Sequence, residues 1–138
     1  MWTHQESIET SASPETVWQL FRDVPGWKAW NAGIEAIALH GPFAEGTTFM
    51  MQPPGSDPFI STLLEVEENR GFTDVTEIDG TRVVVRHLIA ALPGGGSRVT
   101  YATEIMGPQA ADFGPMVTSD FADVLAGLKR AAEGLASL

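Results

Sequence analysis

The chain has 138 residues, 43% of them apolar and 19% charged, the balance of one globular domain with enough material for a core of its own. It has no cysteine, which excludes disulfides, thiolate metal sites, iron–sulfur clusters and a cysteine nucleophile. Eight basic residues against 18 acidic ones leave a formal charge of −10, a field that repels phosphate backbones and argues against nucleic acid as a partner.

The opening Met-Trp-Thr-His-Gln-Glu carries neither a basic n-region nor an apolar h-region, so no signal peptide is expected. No apolar run approaches the roughly 18 residues of a membrane span, so no integral membrane association is expected either. With the missing cysteines, these features give a cytoplasmic location as the expectation.

Residues 3–10 have the texture of a strand. Ser13-Pro14-Glu15-Thr16 then reads as a helix start, with Ser13 as N-cap, Pro14 at the first helical position and Thr16 where a capping-box Glu usually sits. Val17, Trp18, Leu20 and Phe21 supply the apolar face of a short helix ending near Asp23. Pro25 and Gly26 break it, and residues 26–30 form one further turn carrying Trp27 and Trp30. Between residues 34 and 106 the signal changes to strands, expected at 34–39, 47–52, 59–66, 72–78, 81–92 and 98–106. Gly and Pro clusters punctuate them, and Asp79-Gly80 is the strongest hairpin signal. Pro93-Gly94-Gly95-Gly96-Ser97 joins two strands and leads into no helix, so it reads as a turn and not a phosphate loop.

The C-terminal stretch returns to helical period through Val117, Phe121, Val124, Leu125, Leu128, Ala132 and Leu135. Asp120, Asp123, Lys129, Arg130 and Glu133 fall mostly on the opposite side. Because Pro115 is uncomfortable inside a helix, the main helix is expected to begin, or kink, near Gly114 and Pro115 and to run to about residue 136. This order of elements is α+β: a seven-stranded antiparallel sheet curving round one long C-terminal helix, with two short helices after the first strand. Curvature leaves a space between sheet and helix, a natural pocket for an apolar ligand.

Ser13-Pro14-Glu15-Thr16-Val17-Trp18, followed by Asp23-Val24-Pro25-Gly26-Trp27 and Trp30, resembles the opening of the START/Bet v 1-like (SRPBCC) superfamily, and within it the polyketide cyclase/dehydrase branch. Leu39-His40-Gly41-Pro42, Glu45-Gly46-Thr47, Leu64-Glu65-Val66, His87, Gly95-Gly96-Ser97-Arg98-Val99-Thr100 and Gly107-Pro108 continue the resemblance in order along essentially the whole chain. It implies the helix-grip fold. Its motifs are mainly caps, turns and the Trp pair, and the superfamily includes cyclases, lipid carriers, hormone receptors and co-chaperones, so it does not fix a reaction.

Candidate site residues come from strand parity. Val83, Val85, His87, Ile89 and Ala91 share one face, opposite Arg82, Val84, Arg86 and Leu88; the arginines belong to solvent, so His87 points inward. A neutral imidazole there suits proton transfer, and equally suits a buried structural hydrogen bond. By the same count Ile60, Thr62, Leu64 and Val66 are inward, with Thr62 as the small polar group among hydrophobes. Val99, Tyr101, Thr103 and Ile105 form the inward set of the last strand, where the Tyr101 hydroxyl suits a ligand carbonyl or a structural bond. Trp27 and Trp30 are candidates for the pocket mouth or for plain packing. Phe113, Val117, Phe121 and Val124 overhang the cavity, and Met50 or Met51, Met106 and Met116 add soft lining if they face it. Asp57, Asp74 and Glu104 have no evident pairing with His87. The scattered His4, His40 and His87 show no metal-ligand spacing, so neither a metal nor a cofactor is expected.

The leading expectation is a protein that binds a small hydrophobic molecule, aromatic polyketide-like or lipid-like, held by apolar burial and oriented by Thr62, His87 and Tyr101. A second is a cofactor-independent cyclase or dehydratase using His87 as acid/base and Tyr101 to polarise a carbonyl. A third is a co-chaperone-like module whose acidic surface meets a basic protein partner.

Overall fold

In the computed structural model, which describes residues 1–136, seven strands form one antiparallel sheet in the order β1-β7-β6-β5-β4-β3-β2. They are β1 (Trp2–Thr10), β2 (Ala36–Leu39), β3 (Thr48–Gln52), β4 (Phe59–Glu67), β5 (Gly71–Ile78), β6 (Thr81–Ala91) and β7 (Ser97–Met106). Strands β2 to β7 are a meander, as the spacing of turn signals predicts, and β1 closes against β7. Helix α1 (Pro14–Arg22) and a 3-10 helix (Val24–Ala29) follow β1. Helices α2 (Ala110–Thr118) and α3 (Phe121–Ala136) follow β7. Among the described residues no helix is long and apolar enough to cross a membrane.

Local chemistry explains the boundaries. The Ser13 hydroxyl accepts from the Thr16 N–H at 3.2 Å and the two hydroxyls lie 3.0 Å apart, so Thr16 braces the capping hydroxyl itself. The Trp27 indole N–H donates to the Phe21 carbonyl at 2.9 Å and ties the 3-10 turn to the end of α1. Asp79 and Gly80 have φ of 51° and 80°, the left-handed pair of a tight two-residue hairpin. That turn fixes the register of β5 on β6, from Ile78 opposite Thr81 to Gly71 opposite Leu88.

The core lies between the concave face of the sheet and the helices. Val17 and Phe21 from α1, Phe49, Leu63, Phe72, Val99 and Ile105 from the sheet, and Phe121, Leu125, Leu128 and Ala132 from α3 are all buried. The helical period predicts this α3 face, except that Leu135 is exposed.

Two expectations are corrected here. The helix does not start or break at Pro115: α2 begins at Ala110, carries Pro115 within it, and the interruption falls at Ser119 and Asp120. Proline there withholds the donor due to the Ala111 carbonyl. One turn later the Thr118 hydroxyl bonds back to the Gly114 carbonyl at 3.0 Å, and Asp120 restarts the ladder by accepting from the Val124 N–H at 2.9 Å. Helix α2 lies directly on Trp2, since a side chain at Gly114 would overlap that indole. The second correction is in β4, where a bulge between Leu63 and Glu65 shifts the register. Ahead of it the inward residues are Ser61 and Leu63, so Ile60, Thr62 and Leu64 face outward, with Ile60 52% exposed. Past the bulge, Val66 packs against the core.

Candidate functional site

The concave faces of β5, β6 and β7 bring three polar side chains into one wall. The Asp79-Gly80 register sets Phe72 directly opposite His87 and Asp74 opposite Val85, so Asp74 is the diagonal neighbour of His87 on the same face. On the other side His87 is opposite Tyr101 and Val85 opposite Thr103. The row continues onto β1, where Glu6 lies opposite Tyr101 and His4 opposite Thr103.

Aromatic rings frame this wall. Phe72 is the hub: its ring centroid is 4.0 Å from His87, nearly parallel at 10°, and 5.1 to 5.4 Å from Phe21, Phe43 and Trp27. His87 meets Tyr101 edge-on at 4.6 Å, and Tyr101 meets Phe121 of α3 edge-on at 5.6 Å. Rings therefore occupy much of the space that the curvature argument expects to be open. Even so, the His87 and Asp74 side chains keep 13% and 12% of their surface accessible.

The polar groups are tuned by burial. His87 Nδ1 lies 3.3 Å from the Phe72 carbonyl oxygen and 3.8 Å from Asp74 Oδ2. A carbonyl can only accept, so this contact puts the imidazole proton on Nδ1 and leaves Nε2 a lone pair. Desolvation pushes the His87 pKa down to about 3, against the opposing pull of the Phe72 backbone bond. Desolvation also pushes the Asp74 carboxyl up to about 7. Burial raises the Tyr101 phenol far above its ordinary value, and the nearby carboxylates of Asp74 and Asp120 add to the effect. Near neutral pH the wall thus holds a neutral imidazole, a protonated phenol and a carboxyl poised between its two forms. The His87–Asp74 approach is not a salt bridge in that state.

The remaining candidates fall in several places. Val85 is half-buried against the core, Ile89 is buried, and both share the His87 face. Thr103 is on the same wall but buried, and its hydroxyl donates to the Val84 carbonyl at 2.8 Å, so it is already committed. Phe121 is buried against Tyr101, while Phe113 and Val117 of α2 are half-buried. Met51 packs inward and Met50 does not; Met106 and Met116 are exposed and line no interior. Ile60, Thr62 and Leu64 are on the outer face and leave the candidate set, Thr62 with them as an orienting group. Trp30 lies tilted beside Trp27, with ring centroids 6.5 Å apart, and lines a separate cleft against α3, away from His87.

Two carboxyl groups escape the parity reading. Asp74 has no partner along its own strand, but the hairpin register counted outward from Asp79-Gly80 places it beside His87. Asp120, expected on the solvent side, is drawn partly inward by the break between α2 and α3, and burial raises its pKa, with Asp123 adding to the rise and its own backbone bond opposing it. Among the described residues no group of three His, Cys, Asp or Glu is placed to hold a metal ion.

Solved structures share this architecture. Protein MLL2253 from Mesorhizobium loti has 16% identity and a TM-score of 0.78, covering 96% of this chain and 97% of its own. A START superfamily protein from Mycobacterium smegmatis has 18% identity and a TM-score of 0.75, with 96% and 98% covered. Norcoclaurine synthase from Thalictrum flavum has 14% identity and a TM-score of 0.73, with 94% and 84% covered. At these identities the likeness establishes the helix-grip fold. No curated protein matches the sequence. The sequence model of the family described as polyketide cyclase / dehydrase and lipid transport matches residues 1–133, and the chain belongs to that family.

Proposed function

We propose that the protein binds a small, largely apolar molecule, aromatic or acyl, against the concave face of β5 to β7. Asp74, His87 and Tyr101 are the groups that orient it. One observation carries this reading: three ionisable side chains converge among aromatic rings on one face of the sheet, with the Asp74 and His87 side chains still partly accessible. Apolar burial supplies affinity at about 25 cal/mol per Å² before ordering costs, and the polar groups select among ligands of similar size. Family membership supports a small-molecule role. So does the norcoclaurine synthase of the same fold, whose structure was solved with dopamine and hydroxybenzaldehyde, both small aromatics.

The test is native mass spectrometry of the purified protein with extraction of any bound compound, then titration with a panel of aromatic and acyl compounds. Saturable binding that Tyr101→Phe and His87→Gln weaken about tenfold is the expected result. A protein that binds none of the panel, or binds equally after both substitutions, overturns it.

A second reading is favoured by the 3.8 Å approach of Asp74 to His87 together with the raised Asp74 pKa. In a cofactor-free cyclisation the Asp74 carboxylate would remove a proton from carbon next to a substrate carbonyl, while the Tyr101 phenol holds the carbonyl oxygen. The resulting carbanion attacks a second carbonyl of the same molecule, and Asp74 returns the proton to the new alkoxide. His87, neutral above about pH 3, would position these groups and not titrate with the reaction. Asp74→Asn should lower turnover about 100-fold with ligand affinity kept; full turnover by this variant excludes the mechanism.

A further inference from the structure

Four of the eight basic side chains in this acidic chain are matched in ion pairs. Arg82 pairs with Glu77, Arg86 with Glu104, Arg98 with Glu9 and Lys129 with Glu133. Among the described residues Arg22, Lys28, Arg70 and Arg130 have no such partner, and the fold brings two of them, Lys28 and Arg130, to one cleft.

This cleft, of about 500 Å³, lies between the end of the 3-10 helix with the residues just after it and one face of α3. Lys28, Trp30 and Asn31 line one side, and Gly127, Arg130 and Ala131 the other. Gly127 is required there: a side chain at that position would overlap the Trp30 carbonyl oxygen, so the segment rests directly on the helix. Arg130 Nη2 lies 3.9 Å from where that side chain would begin, so the guanidinium borders the same contact.

The polar chemistry of the cleft has one sign. None of the 18 carboxylates of the sequence lines it. The Asn31 side-chain oxygen already accepts from the Gly33 N–H at 2.8 Å, which leaves its amide NH2 as a donor. Trp30 lines the cleft, and its indole N–H is buried with no acceptor among the described residues. Ammonium, guanidinium, amide and indole are thus all donors, set among the apolar surfaces of Trp30 and neighbouring alanines. Such a set recognises an oxyanion attached to an apolar body.

We propose that this cleft is a binding site for a small organic oxyanion, a carboxylate or phosphate monoester, distinct from the concave face of the sheet. Its volume suits a ligand of ordinary small-molecule size. Lys28 and Arg130 are both exposed and outside the core, so replacing them leaves packing intact.

The test uses the full chain and phenyl phosphate, followed by NMR on the Trp30 indole N–H, identified with a Trp30→Phe sample. The expected result is a saturable shift at millimolar concentration or below, weakened about tenfold by Lys28→Gln and by Arg130→Gln separately, with circular dichroism unchanged. Benzoate and inorganic phosphate identify which oxyanion is preferred, and a shift with any of the three that depends on both cations supports the site. No saturable shift with any of them overturns the proposal. So does a shift that persists in the double variant, or one that neutral benzyl alcohol reproduces.

Discussion

Strands β5 to β7 carry ionisable residues on both faces, and the two faces treat them in opposite ways. Outside, Arg82 pairs with Glu77, Arg86 with Glu104, and Arg98 with Glu9 on β1, with side chains 38 to 68% exposed. Inside, Asp74, His87 and Tyr101 have no ion partner, and desolvation drives each toward its neutral form. One residue of strand parity separates the two regimes. The outer charges are held by water and contribute to solubility and local pairing. The inner groups are neutral donors and acceptors in a place where water is scarce, the condition under which orienting a ligand or moving a proton is effective.

The contrast is broken most forcefully at the hub ring. Phe72→Ala should remove the surface on which His87 stacks and lower stability by about 3–5 kcal/mol, read from denaturant midpoints. A loss below about 1 kcal/mol would mean that the inner wall does not depend on it.

A sharper test uses pH, because the two inner groups have opposite linkage. Asp74 has a folded pKa raised from 3.8 to about 7, so its contribution is present at low pH and is lost as pH rises through that window. His87 has a folded pKa lowered from 6.5 to about 3, so its contribution is present at high pH and is lost as pH falls through that window. Where the windows overlap, the folded state holds one proton on Asp74 and the unfolded state one on the imidazole. The proton counts then balance, and these two groups leave stability nearly flat between about pH 4 and 6.5. Asp74→Asn uncovers the histidine, and stability should rise with pH by up to about 1.4 kcal/mol per unit below 6.5. His87→Gln uncovers the carboxyl, and stability should fall with pH by a similar slope between about 4 and 7. Parallel pH profiles for both variants would contradict the assignment.

The smallest effects belong to the outer face. Arg98→Ala should cost about 0–1 kcal/mol, with the difference shrinking as salt is added. Ile60→Thr should change stability by no more than about 0.5 kcal/mol, since the bulge in β4 leaves that side chain in solvent. A loss of several kcal/mol at Ile60 would restore it to the interior.

Much of this contrast is legible in the sequence, for identifiable reasons. Alternation in β6 and β7 places His87 and Tyr101 inward because those strands are regular, with continuous registers from Arg82 to Ala91 and from Ser97 to Met106. The same alternation misplaces Thr62, because a bulge at Leu63 and Glu65 needs no Gly or Pro to mark it and reverses parity beyond it. Asp74 was within reach, since a two-residue Asp-Gly hairpin fixes which residues face one another. Its pairing with His87 follows from counting across strands, where a reading along each strand alone does not show it. The interruption at Ser119 and Asp120 was masked by Pro115, which attracts the break in any local reading although its ring is accommodated four residues earlier. The Lys28 and Arg130 cleft joins residues about a hundred positions apart, and only the fold brings them together.

The most direct test of the central claim is a carbon-detected NMR titration of the Asp74 carboxyl in the folded protein, alone and with a bound aromatic compound. The account predicts a midpoint near 7 in the free protein and a displacement of that midpoint when the wall is occupied. A midpoint at the ordinary carboxylate value near 3.8, unmoved by ligand, would contradict it.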